Sequence, residues 1–457
     1  MLRAPLLCAY PDLSLPAPND CWYFTHLLAD VCHGVPPGPA FYELGYAWTG
    51  AADFAAVLQR AYAEGQRDSL DALLFGVDDV PHPPLADAAS VFRLPSSVLL
   101  PASGLAVLRT PSLHLLLKYG PHGGGHGHPD KLAVAVYAHG RRLSPDLGTP
   151  GYGLDLFTSW YRQTLSHNTV VIEGQSQPEA TGELVAFQPD GPVQVAAARV
   201  AWEGEGPYGA VRLRRALLVH KGYWLDLSVV ECPEPRQTDW VYRNVGRLDL
   251  DAPDPTLGPS PSKGGESRRG EVTSPLPTGD GYQHITGAAA YAPTAPYTAT
   301  WQAEGIGLRV WAKDAPGETV ITGSVPGYPP TERQALLLRR RHAQATAFVA
   351  LCQPLPRPLP SQGRGDTGEV TSPLLSPFPG REGGRGVRSG GAPEFDPTAP
   401  AVQAVTWRGD LENGGLVCHV QTRVGVERWT LRFDADLQYT FEEIAHADPS
   451  GDAARPA

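Results

Sequence analysis

The chain has 457 residues, 42% of them hydrophobic, enough for two or three domains at roughly 150 residues each. Its formal charge is −11, from 37 Lys and Arg against 48 Asp and Glu; with no general phosphate-binding footprint, nucleic acid is excluded as the main partner. No run reaches the ~18 apolar residues of a membrane span, and six scattered cysteines without a C-x-x-C pair exclude a zinc finger and a disulfide framework.

The N-terminal stretch MLRAPLLCAYPDLSLP is too short and Pro-rich to read as a clear signal peptide. Residues 20–75 read as helical. PAFYELGYAW and ADFAAVLQRAYAEG place Phe41, Leu44 and Trp48, then Phe54, Val57, Leu58 and Ala61, at three-to-four spacing. Asp53 and Gly65 suit a helix start and stop, and SLDALLFG reads as one more short helix. The cysteines read as buried free thiols.

From about residue 90 short β-rich runs follow one another, bounded by Gly, Pro and Asp. They include GLAVLRT, LHLLLKYG, KLAVAVYAHG, NTVVIEG, AVRLRRALLVH, YWLDLSVVE, QALLLRRRH, TAFVALCQ and GLVCHVQTR. Strands at hairpin-like spacing imply a large antiparallel sandwich with two wide sheets, not alternating β-α units. Residues 257–282 and 357–396 are rich in Gly, Pro, Ser and Arg, and both contain GEVTSPL. Neither can bury enough apolar surface to offset its ordering entropy, so both read as disordered insertions, as does the tail 448–457.

The chemistry concentrates in HGGGHGHPDKLAVAVYAHG, residues 122–140. In an extended loop, His126 and His128 are two apart and point the same way. They can share a metal, or one can bind it while the other faces a substrate. Asp146 follows in LSPDLGTPGYG, and His167 stands just before a strand in WYRQTLSHNTVVIEGQSQ. Two His and one carboxylate at strand ends make a zinc-type donor set. Glycines 123–125 allow close backbone approach and unusual dihedrals. His114, His122 and His139 read as structural or solvent-facing. HGHPD superficially matches the H-x-H-x-D start of metallo-β-lactamase-like hydrolases, but Lys131 stands where that motif has a His. No ligands for the second metal of a metal hydrolase are evident.

The combination H-x-H-x-D-x-L, then D-x-G-T with a nearby Tyr, then S-H-N-T-V-V, within residues 100–177, resembles the heparinase II/III-like family of polysaccharide lyases. The resemblance implies an α+β multidomain chain: a short helical remnant of an (α/α) toroid at 1–90, LPAPND and FYELGYAW belonging to its last helices, then a large antiparallel β-sandwich at 91–447. It implies that His128, Asp146 and His167 bind a structural Zn2+, that His126 faces the substrate groove, and that Tyr152 or Tyr161 lines it. Asp130 would steady a ligand His, and Asn168 would fix His167 or the following turn. The implied activity is β-elimination on a uronic-acid polysaccharide, in the periplasm or outside the cell. Family members carry their principal catalytic Tyr and an Asn/His pair in a toroid of several hundred residues. About 90 residues stand there in this chain, and Tyr23, Tyr42 and Tyr46 fall on helical patterns where an aromatic is core. An upstream polypeptide supplying the rest of the toroid is therefore an expected partner. The alternative is a non-catalytic, zinc-braced carbohydrate-binding or structural module. A second departure is Arg243, near where many members have a His.

Overall fold

The computed structural model describes residues 3–28, 38–63, 67, 70–76, 97–251, 276–356, 402–411, 415–433 and 436–445. Residues 257–275, all of 357–396, the tail 448–457 and Cys32 lie outside these. Residues 276–282 do not behave as part of an insertion: Tyr282 is buried, and its hydroxyl donates to Asp239 Oδ2 at 2.5 Å.

The helices are α1 (Arg3–Cys8), α2 (Gly38–Thr49), α3 (Ala52–Ala63) and α4 (Leu70–Phe75). The apolar spacing of α3 buries Phe54, Val57, Leu58 and Ala61 against Leu6, Leu13, Leu27 and Tyr42. Arg3 Nε donates to Asp53 Oδ2 at 2.8 Å, tying α1 to the first turn of α3. The helical reading of 20–75 fails at 20–28, which are turns. Trp22 forms a parallel bridge with Thr149, and Tyr23 stacks on Tyr328 at 4.5 Å, so Tyr23 is not a helix-core residue. Tyr42 is buried and Tyr46 packs at the edge of the same cluster. Cys232, Cys352 and Cys418 are buried free thiols, whereas Cys8 is half-buried and Cys21 exposed.

The strands form three antiparallel sheets. The first holds β1 (Val98–Leu100), β2 (Leu105–Arg109), β3 (Leu113–Lys118), β4 (Ala133–Ala138) and β5 (Arg141–Ser144), in that order. The second has eleven strands: β6 (Val170–Ile172), β7 (Glu183–Gln188), β8 (Gln194–Ala201), β9 (Arg212–His220), β10 (Tyr223–Asn244), β11 (Arg247–Asp251), β12 (Thr286–Tyr291), β13 (Tyr297–Ala303), β14 (Ile306–Ala312), β15 (Thr319–Pro326) and β16 (Arg333–Leu355). The third holds β17 (Val402–Asp410), β18 (Gly415–Thr422), β19 (Gly425–Phe433) and β20 (Leu437–Ala445).

The central sheet is covered on both faces, so the sandwich has three layers rather than two wide sheets. Alternate residues of one strand enter different cores, as the two-residue side-chain period requires. On β8 and β9, Ala196, Ala198, Leu213, Leu217 and Val219 pack against the first sheet. Their neighbours Val195, Ala197, Ala216 and Leu218 pack against Leu416, Cys418, Trp429 and Leu431 of the third. This double burial explains why these strands read as nearly unbroken apolar runs.

β10 and β16 pair along almost their whole length and form the spine. In the sequence, YWLDLSVVE covers only the first half of β10, and QALLLRRRH and TAFVALCQ divide β16 in two. In β10, Pro233 and Pro235 interrupt the pattern, but they sit at a bulge between Glu231 and Arg236, where a missing N–H is tolerated. In β16, Ala343, Gln344 and Ala345 separate the two runs, and the charged run RRR stays within the strand because each arginine has a carboxylate: Arg339 and Arg341 pair with Glu318, and Arg340 with Asp239. The first half of β10 pairs with β9 and the second with β6. That second pairing carries the segment after His167 onto the spine.

Candidate functional site

His128, Asp146 and His167 come together from three different connections. One ligand atom of each lies within 4.8 Å of the others, and the histidine rings are 5.4 Å apart. His128 lies in the loop between β3 and β4. Asp146 follows β5, and His167 precedes β6. Thus the first sheet supplies two of the side chains and the spine positions the third.

Two buried arginines hold these connections. Arg243 donates to the carbonyl of Pro145 at 2.8 Å and to the carbonyl of Ser166, the residues immediately before Asp146 and His167. Arg215, itself paired with Asp226, donates to the carbonyls of Leu132 and Asn168. Arg243 is 1% exposed, so it braces the site from behind and is no groove contact. Asn168 Nδ2 donates to the Val134 carbonyl at 3.1 Å, and its Oδ1 accepts the Arg243 N–H at 2.9 Å, which fixes the turn after His167.

Asp20 is the residue that sequence reasoning missed. Its Oδ1 lies 2.9 Å from His128 Nε2 and its Oδ2 lies 2.9 Å from His126 Nδ1. One carboxylate thus orients both histidines, although His128 is fully buried and His126 is 75% exposed. Asn19 Oδ1 accepts the backbone N–H of His128 at 3.2 Å. The only local signal was LPAPND, which matched the family pattern but carried no role for its last residue.

Two glycines permit this meeting. Gly148 in D-x-G-T has φ +60°, and a Cβ there would stand 2.1 Å from the carbonyl oxygen of Cys21. Only glycine lets this turn touch the Asp20 segment, where the Thr149 N–H donates to that same carbonyl at 3.0 Å. Gly127, between the two histidines, is crowded likewise: a Cβ would stand 2.0 Å from the His122 carbonyl oxygen. Gly123 and Gly124 do take positive φ, as expected of that run, while Gly125 does not, and Gly124 and Gly125 face open space.

The other expected residues divide. Tyr152 is 60% exposed and its hydroxyl is 3.3 Å from His126 Nδ1, so a His–Tyr pair faces solvent. Tyr161 is 0% exposed and its hydroxyl donates to the Gly327 carbonyl, so it is a core residue and cannot line a groove. Asp130 pairs with buried Lys118, which also donates to Asn19; it makes no hydrogen bond to a histidine, and Asp20 has the role expected of it. His114 is buried and accepts from Arg109 Nε at 3.3 Å.

The donor set fits a transition metal. His128 Nδ1 and both ring nitrogens of His167 are buried without a hydrogen-bond partner, an expensive arrangement unless something fills the space between them. Burial, reinforced by the charge of His167, pushes His128 down to about 4, so it is neutral at pH 7 and able to ligate. Burial raises the Asp146 carboxyl, but the facing His167 outweighs it and holds the group well below the ordinary range. His167 Nδ1 and Asp146 Oδ1 are 3.5 Å apart, too far for a good hydrogen bond but close to the ~3.4 Å edge of a tetrahedron with bonds of about 2.1 Å. Lys118, Asp146, His167, Asn168 and Arg243 line a small cavity beside them.

The structure is three layers of antiparallel sheet with a buried His-His-Asp cluster beneath an exposed His–Tyr pair. Residues 93–242 match the family described as heparinase II/III-like, C-terminal. A heparin-sulfate lyase from Bacteroides stercoris is 30% identical over 101 residues, which is 20% of this chain and 15% of that protein. A heparan sulfate lyase structure from Pedobacter heparinus matches with a TM-score of 0.51 and 14% identity, over 97% of this chain and 52% of that one. A heparinase III structure matches with a TM-score of 0.50 and 14% identity, over 97% of this chain and 54% of that one. The chain therefore has the fold of these lyases and spans about half the length of the structures it matches.

Proposed function

We propose that this protein is the sandwich-bearing part of a lyase that cleaves a uronic-acid polysaccharide by β-elimination, in the periplasm or outside the cell. Among the described residues, no helix is long and apolar enough to cross a membrane. The single observation that supports the reading best is the Asp20 bridge, which joins the buried donor set to an exposed acid–base pair.

His128, Asp146 and His167 would hold a zinc ion. Bound there, it would supply structural bracing, fixing the loop that presents His126. β-Elimination removes the proton α to the uronate carboxylate, forms a carbon–carbon double bond and expels the glycosidic oxygen, which takes up a proton. With Nδ1 of His126 turned to Asp20, Nε2 is the nitrogen free to accept the α proton. The Tyr152 phenol, raised above its ordinary value by partial desolvation and by Asp20, stays protonated and can donate to the leaving oxygen. Arg162, which donates to the Gly127 carbonyl at 2.9 Å, stands near enough to offset substrate charge.

The test is absorbance at about 232 nm, where the new unsaturated uronate absorbs, over a panel of uronate polysaccharides with zinc content measured in parallel. His126→Ala is expected to keep zinc and lose turnover, and His128→Ala to lose zinc. Bound zinc and glycan with no absorbance change on any polymer would instead support the non-catalytic binding module. Zinc retained in His128→Ala would overturn the ligand set.

A further inference from the structure

A second cluster of metal-capable side chains lies between the central and C-terminal sheets, away from the first sheet that carries the donor set above. The Nε2 of His220, at the end of β9, and carboxylate oxygens of Glu427 on β19 and Glu443 on β20 all lie within 4.8 Å of one another. We propose that these three residues form a second divalent-cation site, of zinc type, that ties the C-terminal sheet to the central one.

The ring of His220 carries the argument. Its Nδ1 is 2.7 Å from the Pro192 carbonyl oxygen, which can only accept, so Nδ1 bears the hydrogen. In the neutral ring, Nε2 is then a bare lone pair. It is buried, has no hydrogen-bond partner, and points at two carboxylates. His220 is 2% exposed and Glu427 3%. The nearby ammonium of Lys221 offsets the carboxylates from their solvent side, but leaves the buried Nε2 lone pair facing two carboxylate oxygens with nothing between them.

A proton on Nε2 would draw a carboxylate to the ~2.7–2.9 Å of an ionic hydrogen bond. The observed separations are 3.4 Å to Glu427 Oε1 and 3.5 Å to Glu443 Oε1. These equal the ~3.4 Å edge of a tetrahedron around zinc with bonds of about 2.1 Å. The surroundings orient the ligands as outer groups of metal sites do. Tyr223 donates to the other oxygen of Glu427 at 2.5 Å, and Trp429 Nε1 donates to the Tyr223 hydroxyl at 3.0 Å. Phe441 covers the imidazole, with ring centroids 4.3 Å apart. Lys221 Nζ lies 2.8 Å from Glu443 Oε1 and 3.9 Å from Glu427 Oε1, and at 40% exposed it can turn into water when a metal takes that oxygen.

The test is zinc stoichiometry and affinity, by competition with a chromophoric chelator on metal-stripped full-length chain. Two zinc ions are expected per wild-type chain and one in Glu443→Gln, a substitution at an exposed position that leaves the core intact. His128→Ala should keep one ion, lose it in combination with Glu443→Gln, and melt higher with saturating zinc than without. One zinc in the wild type, abolished by His128→Ala, would overturn the second site and leave the first standing. A second zinc retained with unchanged affinity in Glu443→Gln would show it to bind elsewhere and would equally overturn the proposal. Failure of the first site alone would appear as one zinc in the wild type, lost in Glu443→Gln and retained in His128→Ala.

Discussion

Asp20→Asn removes the negative charge that joins His126 to His128 while keeping the side chain's shape. The two bonds it weakens are both 2.9 Å but stand in different surroundings. The His128 bond is closed from water, with the partners 0% and 5% exposed, whereas the His126 ring is 75% exposed. A buried hydrogen bond to a charged group contributes roughly 1.5–3 kcal/mol, and solvent screening leaves the exposed one about 0–1 kcal/mol. The metal-free protein is therefore expected to lose about 2 kcal/mol, nearly all through His128. Urea unfolding with a chelator present measures this, for Asp20→Asn alone and on the His126→Ala and His128→Ala backgrounds. The loss should persist with His126→Ala and largely vanish with His128→Ala. With zinc added, affinity should fall roughly 10–100-fold, as when a metal ligand loses its orienting partner. A loss below about 0.5 kcal/mol, or one that depends on His126 instead, would refute the reasoning.

Gly148→Ala should disrupt the same site from the other side. It places a Cβ 2.1 Å from the Cys21 carbonyl and requires φ +60° of an L-residue, so a cost of at least about 1–2 kcal/mol and weaker zinc binding are expected; equal melting temperature and equal zinc affinity would contradict it. Acid should weaken the fold through Glu318. Burial raises this carboxyl, but Arg339 and then Arg341 hold it at about 2, below the ordinary 4.5. Its contribution, about 3 kcal/mol, is then complete above pH 4.5 and lost as pH falls from 4.5 towards 2. Urea midpoints across that interval should fall with pH in the wild type and less steeply in Glu318→Gln, and parallel slopes would rule the assignment out.

The position of each candidate ligand relative to its strand was legible along the chain, because strand ends announce themselves by Gly, Pro and Asp flanking an apolar run. His128 before LAVAVYA, Asp146 after RRLS and His167 before VVI needed no tertiary information. The helices at 38–49, 52–63 and 70–75 were legible for the same reason: side-chain period is a local property. What depends on contacts far apart in sequence was not. Tyr161 and Tyr152 look alike in a Gly-rich, aromatic segment, and only packing against Gly327 puts one in the core while the other meets water. Asp130 stands two residues from His128 yet turns to Lys118, and Asp20, 108 residues away, takes the imidazole instead.

The same division holds for the fold. Apolar alternation fixes which residues leave each face of a strand, and hence that this chain folds as stacked antiparallel sheets. It cannot say which sheet covers which face, because a strand buried on both sides and two strands joined by a bulge give the same local pattern. β10, β16 and the three-layer stack exist because buried carboxylates neutralise the arginines in the middle of β16, and because a third sheet covers the face left open by the first. The meeting of Asp20, His126, His128, Asp146 and His167 was likewise decided by tertiary structure, through two buried arginines and one glycine that holds two distant turns in contact.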